Sequence, residues 1–465
     1  MMVPMAFQVL RNKSGFIPWI LILAVIAISF WQTIANQWWY WESSKYLAFY
    51  LGLATPLAKI FDFRGNDALP AGQYRIRDLG NVLNWLDAQL LVLGLKAGIP
   101  ALVSYTYYAA LLAIAVIQMY FSRLNFGRPA RWVAAASTLL FLTAPAPFLT
   151  GSYGRTNKII VALLFILVFW MAVGFIRRVK SSTLTPVWLF LLLLAAALTD
   201  ETGLVFLFAL AVIAGLSSMN QGSRRIFRIV LSAGLAIFAV FIYRYALSPA
   251  IVYRITSIRP HLWDVKTANI MQPELLIGGL RMFLTYVGMQ FGNTGIWGGL
   301  AALTGGLVLV IAAQSGHGPV TGIVRRLFWP LIYVFVAGLC IMSLILMSAT
   351  LPGILSPMSA LMTYPIPFNA LFACGACLIG CAATATKPAA RKLLVLTLLV
   401  MSGFNVLSLP SHTSQVNKLP WERKDAREII IPVLAPGPFN LNTYPFTHYE
   451  AADAVISIRA RMGKK

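Results

Sequence analysis

Residues 16–41, FIPWILILAVIAISFWQTIANQWWYW, decide the fold class. From Phe16 to Ala35 there is no charged side chain, and a helix of about 20 such residues is about 30 Å long, the thickness of a bilayer's hydrocarbon core. The run is too long for a signal-peptide core, and Trp38, Trp39 and Trp41 stand where a small-residue cleavage site would have to be. It is expected to remain as a membrane span closed by an aromatic belt at the interface.

The rest of the chain repeats this pattern. Of its 465 residues 59% are hydrophobic and 11% charged, whereas a soluble domain carries about 25% charged residues. Apolar runs predict spans near 16–35, 100–121, 131–149, 158–176, 185–199, 203–218, 226–247, 296–314, 328–348, 364–384 and 393–409, about eleven in all. The expected fold class is all-α, a polytopic transmembrane helical bundle. Residues 1–409 form the membrane domain, with a first outer loop at 36–99, and residues 410–465 form an extramembrane tail or small domain. The pair 185–199 and 203–218 is short for two spans, and a single kinked helix is the alternative. Residues 275–293 contain Arg281 and Gln290 and are read as an interfacial or re-entrant helix.

Charge orients the bundle. The net charge of +23 does not point to nucleic acid, because the basic residues fall in short clusters between apolar runs rather than in one patch. Alternate loops carry Arg11/Lys13, Arg123/Arg128/Arg131, Arg177/Arg178/Lys180, Arg224/Arg225/Arg228, Arg325/Arg326 and Lys387/Arg391/Lys392, the bias expected of cytoplasmic loops. All 14 Asp and Glu residues fall on the opposite side. Acids contribute little to orientation, so their segregation marks the outer face as the place for chemistry or binding. The basic end Arg459, Arg461, Lys464, Lys465 would prefer the cytoplasm, although the span count places it outside.

The first outer loop is long enough to carry structure of its own. Its two ends, WWYWESSKYLAFYLGLATPLAKIF and LGNVLNWLDAQLLVLGLKAGI, suit helices lying in the membrane interface, with the polar segment FDFRGNDALPAGQYRIRD held between them. That segment places Asp62 and Asp67 beside Arg64, Arg75 and Arg77, with Glu42 nearer the first span. Guanidiniums donate bidentate hydrogen bonds to phosphate oxygens, and a nearby carboxylate can take a proton from an acceptor hydroxyl. The plain alternative is that these groups pair with one another on a solvated loop. In SYGRTNK, Arg155 and Lys158 open a helix, where the dipole does not favour cations; an anionic lipid phosphate would account for them, and snorkelling to headgroups is the alternative. Asp200 and Glu201 interrupt the run LLLLAAALTDETGLVFLFAL and could bind a divalent cation such as Mg or Mn, act as a base, or fix an arginine. They could equally be the polar tip of a turn at Thr202 and Gly203.

Other chemistries lack their residues. There is no Walker A, G-x-S-x-G or H-E-x-x-H pattern, and His261, His317, His412 and His448 form no ligand set. Cys374 and Cys377 form a C-x-x-C inside an apolar run, read as small packing residues rather than a zinc site. No internal repeat supports the inverted symmetry of many transporters.

This layout resembles the GT-C glycosyltransferases: a first span, a long first outer loop with two interfacial helices, then a bundle with a short second outer loop. GQYRIRDLGNVLNWLDAQLLVLG at 72–94 is similar to the Tyr-Arg-Pro-Leu segment of the mannosyltransferase-like branch, with Ile76 in place of the proline. The resemblance implies an inverting hexosyl or pentosyl transferase that uses a polyprenyl-phosphate sugar and a glycan or lipid-linked glycan acceptor. It also implies a bacterial inner (plasma) membrane location, with the site facing the periplasm or cell exterior. By the same resemblance a first-loop acid is the base, here Asp67, Asp62 or Glu42; Arg155 and Lys158 hold the donor phosphate; and Asp200 with Glu201 faces the cavity. The second reading is a transporter or flippase for a lipid-linked or anionic substrate. A reporter inserted beside Asp67 is expected to be protected from the cytosol, while one beside Lys180 is exposed to it; the reverse pattern would invert the orientation and remove the functional reading with it.

Overall fold

The computed structural model describes residues 16–36, 38–52, 73–74, 78–128, 130–151, 156–177, 184–200, 202–203, 224–257, 261–262, 366–383, 388–417, 423–425, 427–438 and 449–463, with isolated positions at 277–304 and 440–444. The architecture is a helical bundle. Helix α1 (Phe16–Asn36) leads through β1 (Trp38–Tyr40) to α2 (Trp41–Leu51). After β2 (Gln73–Tyr74) come α3 (Asp78–Lys96), α4 (Tyr105–Phe126), α5 (Ala130–Thr143), the buried turn α6 (Pro145–Leu149), α7 (Thr156–Arg177) and α8 (Thr185–Thr199). Then follow α9 (Arg224–Ile242), a π-helical turn at Tyr243–Leu247, α10 (Ser248–Thr256) and β3 (His261–Leu262). The last elements are α11 (Ile366–Ala383), α12 (Pro388–Asn417), β4 (Arg423–Asp425), α13 (Arg427–Leu434) and α14 (Tyr449–Met462).

Among the described residues, Phe16–Ala35, Tyr105–Phe126, Thr156–Ile176, Phe227–Ile255 and Arg391–Pro410 are long and apolar enough to cross a membrane, and Ala130–Thr143, Thr185–Thr199 and Asn369–Cys381 are shorter apolar helices. These cover the expected spans apart from 296–314 and 328–348, which lie outside the described residues save for isolated positions, and 203–218, of which only Gly203 is described. Residues 275–293 are likewise described only at isolated positions.

Boundaries move where local chemistry dictates. The span expected from 100 starts as a helix at Tyr105, because Pro100 favours extended chain before it and the Ser104 hydroxyl caps the Tyr107 N–H at 3.2 Å. The run 131–149 is broken at Ala144 by Pro145. Beyond Thr199 the chain turns extended at Asp200, and a Cβ on Gly203 would strike the Ala196 carbonyl. Gly203 therefore lies against the last turn of α8.

The packing is that of helices in lipid. On α9 the large residues Phe227, Leu231, Leu235, Phe238 and Phe241 are exposed, while Ile229, Ala233, Ala236 and Val240 are buried. Small residues inward let backbones approach, and large apolar residues outward meet acyl chains at no cost. Helix α7 packs against α4, α8 and α11, and α5 packs against α1, α4, α11 and α12.

Polar ties fix the register of this bundle. The Trp170 indole N–H donates to Gln118 Oε1 at 2.6 Å, and the Cys374 thiol reaches the same oxygen at 3.3 Å. Gln118 Nε2 donates to Ser137 Oγ at 3.3 Å and to the Ala373 carbonyl at 3.4 Å. One amide thus joins α4, α5, α7 and α11, and Cys374 and Cys377 are buried free thiols. Between α1 and its neighbours, Ser29 donates to the Phe148 carbonyl at 2.6 Å and Thr33 meets the Tyr108 hydroxyl at 2.8 Å.

A second layer sits on one end of the bundle. Leu47, Tyr50 and Leu51 of α2, Ala88, Leu91, Val92 and Leu95 of α3, Ile429, Ile430 and Val433 of α13, and Ala451, Ala454, Val455 and Ile458 of α14 form one buried cluster. The C-terminal segment therefore packs on the helices of the first loop. Strand β1 pairs antiparallel with β4, Trp38 opposite Asp425, and Arg461 Nε donates to the Leu51 carbonyl at 2.8 Å. Arg459 is buried and donates to the carbonyls of Pro432, Ala435 and Gly437. At the opposite end of the bundle, Arg225 Nη1 donates to the Phe175 carbonyl at 2.8 Å.

Replacing Gln118 by Ala strands the Trp170 indole N–H in the core and is expected to cost about 1–2 kcal/mol of stability in detergent unfolding. Gln118→Leu combined with Trp170→Phe, which removes both partners, is expected to recover most of that loss.

Candidate functional site

Helix α3 carries a polar residue every third position, Asp78, Asn81, Asn84 and Asp87, and all four are buried. Each step of three turns the stripe back by about 60°, so Asp78 and Asp87 look out on opposite sides of the helix. The acids of this helix are thus packed against neighbouring elements rather than spread over a solvated surface. Helix α3 packs against α4, α7 and α8 at the end of the bundle where α4 and α7 begin and α8 stops.

On one side, Asp87 binds the starts of two helices. Its Oδ1 accepts from the Thr106 backbone N–H at 3.0 Å and its Oδ2 from the Thr156 hydroxyl at 3.1 Å. Ser104 Oγ and Thr156 Oγ1 meet at 2.9 Å, closing the network. Burial pushes the Asp87 carboxyl above its ordinary value, against hydrogen bonds from Ser104, Thr106 and Thr156 that pull it down. The positive ends of α4 and α7 suit the charged form.

On the other side, the Tyr243 hydroxyl donates to Asp78 Oδ2. Tyr243 opens the π-helical turn, and Asp78 opens α3 directly after the arginine-bearing loop. Strand β2, within that loop's last residues, pairs parallel with β3, Gln73 beside His261. Tyr50 of α2 donates to Asn81 Oδ1 at 3.3 Å.

Between these two contacts lies a buried ion pair. Lys158, in the first turn of α7, donates to Asp200 Oδ1, and Asp200 is fully buried. Thr202 supports the pair from three directions: its hydroxyl accepts from Lys158 at 3.0 Å and donates to Asp200 at 2.6 Å, and its N–H donates to Asp200 at 2.9 Å. Gly80 is required here, since a Cβ would collide with the Thr199 carbonyl and crowd Asn157 Nδ2.

The structure thus brings Lys158 and Asp200 together. Glu42 lies in α2, with its side chain outside the described residues, and Asp62, Arg64, Asp67, Arg75, Arg77, Arg155 and Glu201 lie outside them altogether. The loop's anchors are described: α2 and α3 pack against each other and β2 is held by β3. Among the described residues no three His, Cys, Asp or Glu side chains gather to hold a metal. The Lys158 ammonium already occupies Asp200, so no divalent cation is assigned there. Sequence reading grouped Asp78 with the first-loop charges and took Thr202 as part of a turn, and it missed Asn81, Asn84, Asp87 and Tyr243; the D-x-x-N-x-x-N-x-x-D spacing at 78–87 was the available signal for the stripe on α3.

The raised Asp87 carboxyl sets a pH dependence. The folded protein takes up this proton at higher pH than the unfolded chain does, so Asp87 favours the folded state at low pH. That contribution is lost as pH rises from the ordinary carboxylate range through the folded value. Asp87→Asn is expected to flatten this slope in unfolding measured from pH 4 to 7. Asp87→Ala is expected to lower stability throughout by about 1–3 kcal/mol, because it orphans the Thr106 N–H.

No protein-family model matches the sequence, and no curated protein matches it. In three dimensions the chain is similar to ArnT from Cupriavidus metallidurans, whose crystal structure holds undecaprenyl phosphate, with a TM-score of 0.50 and 13% identity over 97% of this chain and 76% of that one. It also aligns with the Archaeoglobus fulgidus oligosaccharyltransferase, solved with Zn and sulfate, at a TM-score of 0.43 and 14% identity over 94% of this chain and 61% of that one. The likeness to ArnT runs through nearly the whole of this chain. The chain is a multi-spanning membrane protein with the GT-C fold.

Proposed function

We propose that this protein is a glycosyltransferase that takes a sugar from a polyprenyl-phosphate donor and passes it, with inversion, to a glycan or lipid-linked glycan on the extracytoplasmic face of the membrane. The observation that carries this reading is the α3 layer: buried polar groups laid across the starts of α4 and α7, beside the Lys158–Asp200 pair and directly after the arginine-bearing first loop. Such a layer lets a lipid-borne donor arrive sideways from the bilayer while its sugar meets an acceptor from water. ArnT, similar in fold, was crystallised with undecaprenyl phosphate, which supports a polyprenyl lipid as the partner.

In this reading Asp67 or Asp62, with Glu42 as the third candidate, accepts the proton of the attacking hydroxyl. Arg64, Arg75, Arg77 and Arg155 bind the donor phosphate through their planar forks. Lys158 adds positive charge from the first turn of α7, and a phosphate there must compete with Asp200. Asp200 keeps that lysine in place, and in this reading Asp200 and Glu201 face the cavity. The positive-inside rule supports a site on the periplasmic or exterior side of a bacterial inner (plasma) membrane. Transport by alternating access would instead call for essential charges inside the spans and repeated halves.

Purified protein supplied with radiolabelled polyprenyl-phosphate sugars one at a time is expected to transfer one of them. Removing the base, by Asp67→Ala, Asp62→Ala or Glu42→Ala, is expected to lower kcat by about 10²–10⁴ with little change in KM. Full activity in all three variants would overturn the assignment of the base. Uptake of a lipid-linked substrate without sugar transfer would favour the transporter.

A further inference from the structure

The first turn of α7 reads Thr156-Asn157-Lys158, and its outer two side chains are used within the protein. Thr156 donates to Asp87 and Lys158 donates to Asp200 and Thr202. Asn157 stands between them, 8% exposed, and its Oδ1 has no hydrogen-bond partner among the described residues. Of the amide's two ends, Nδ2 is the one that lies beside Gly80 of α3. The acceptor therefore points away from the α3–α8 contact. A buried acceptor left unmatched carries its whole desolvation cost, and native structures usually meet such an atom with a water or a ligand.

The chemistry of the missing partner follows from the atom. An amide oxygen needs a donor, and a phosphate diester offers none. A hydroxyl offers one, and in a sugar-phosphate donor the hydroxyls lie on the sugar, close to the phosphate that the neighbouring cations would hold. We propose that Asn157 is a specificity-determining residue whose Oδ1 accepts a hydrogen bond from one hydroxyl of the transferred sugar. This rests on the glycosyl-transfer reading given above. A site that matches a hydroxyl with a buried acceptor rejects the analogue lacking it, because the acceptor is then stranded in the complex.

The test uses the full-length protein in lipid nanodiscs. Wild type is first assayed with polyprenyl-phosphate hexoses and pentoses, and the accepted sugar is then compared with each of its monodeoxy analogues. Wild type is expected to lose about 10- to 100-fold in kcat/KM on one analogue. Asn157→Ala is expected to lose a similar factor on the complete sugar and nothing further on that analogue. Asn157→Asp, which keeps an acceptor of the same shape, is expected to retain the discrimination, and it serves as the reporter if the alanine variant does not fold. If the variants show the wild-type ratio for every analogue, or wild type discriminates against none, Asn157 is matched by water and the proposal is overturned while glycosyl transfer stands. If wild type transfers no sugar from any donor, the glycosyl-transfer reading falls and this proposal falls with it.

Discussion

In lipid no hydrophobic force draws one helix to another, because acyl chains are as apolar as leucine. Specific polar contacts and close packing must set which helix ends meet, and in this protein the Asp87 carboxylate is the contact on which the outer layer depends. It lies on α3 but satisfies groups at the starts of α4 and α7, so three chain segments converge on two oxygens. The energetics are finely balanced. Burial disfavours the charge, while a backbone N–H, hydroxyls and two helix dipoles favour it. Lys158 and Asp200 solve the same problem nearby by pairing opposite charges, with the Thr202 hydroxyl bonded to both. A buried pair of this kind adds little net stability, yet it fixes geometry, because either partner alone would be far costlier to bury.

The layer also explains how one end of a lipid-facing bundle can hold buried polar groups without opening the fold. Inward surfaces of the spans are built from small residues and neutral amide or hydroxyl contacts, such as Gln118 with Trp170 and Ser137. Among the described residues, the Lys158–Asp200 pair and the buried acids Asp78 and Asp87 sit where α3 crosses the bundle.

Span positions were legible in the sequence because hydrophobic length is a one-dimensional property. Phe16–Ala35 and Thr156–Ile176 appear almost where their apolar runs begin and end. Boundaries shifted where a single residue overrode composition, as at Pro100, Pro145 and the turn after Thr199. The pairing of Lys158 with Asp200 was not legible, since 42 residues and a reversal of chain direction separate the two. Each residue looked functional alone, and only the folded chain makes them neighbours. The α3 stripe was in principle readable, but a spacing of three in a helix with an apolar opposite side reads as interfacial until the elements packed on it are known. The placement of α13 and α14 against the first loop had no signal in composition at all.

The β1–β4 pairing and the shared cluster of α2, α3, α13 and α14 also dictate an order of assembly. A nascent chain inserts its helices from the front as the ribosome delivers them, so Leu47, Tyr50 and Leu91 are made well before Val433, Val455 and Ile458. Until those later residues arrive, the early members of the cluster have no mate. Assembly of this layer therefore waits on the later segment, and contacts so far apart in sequence are the slow kind to form.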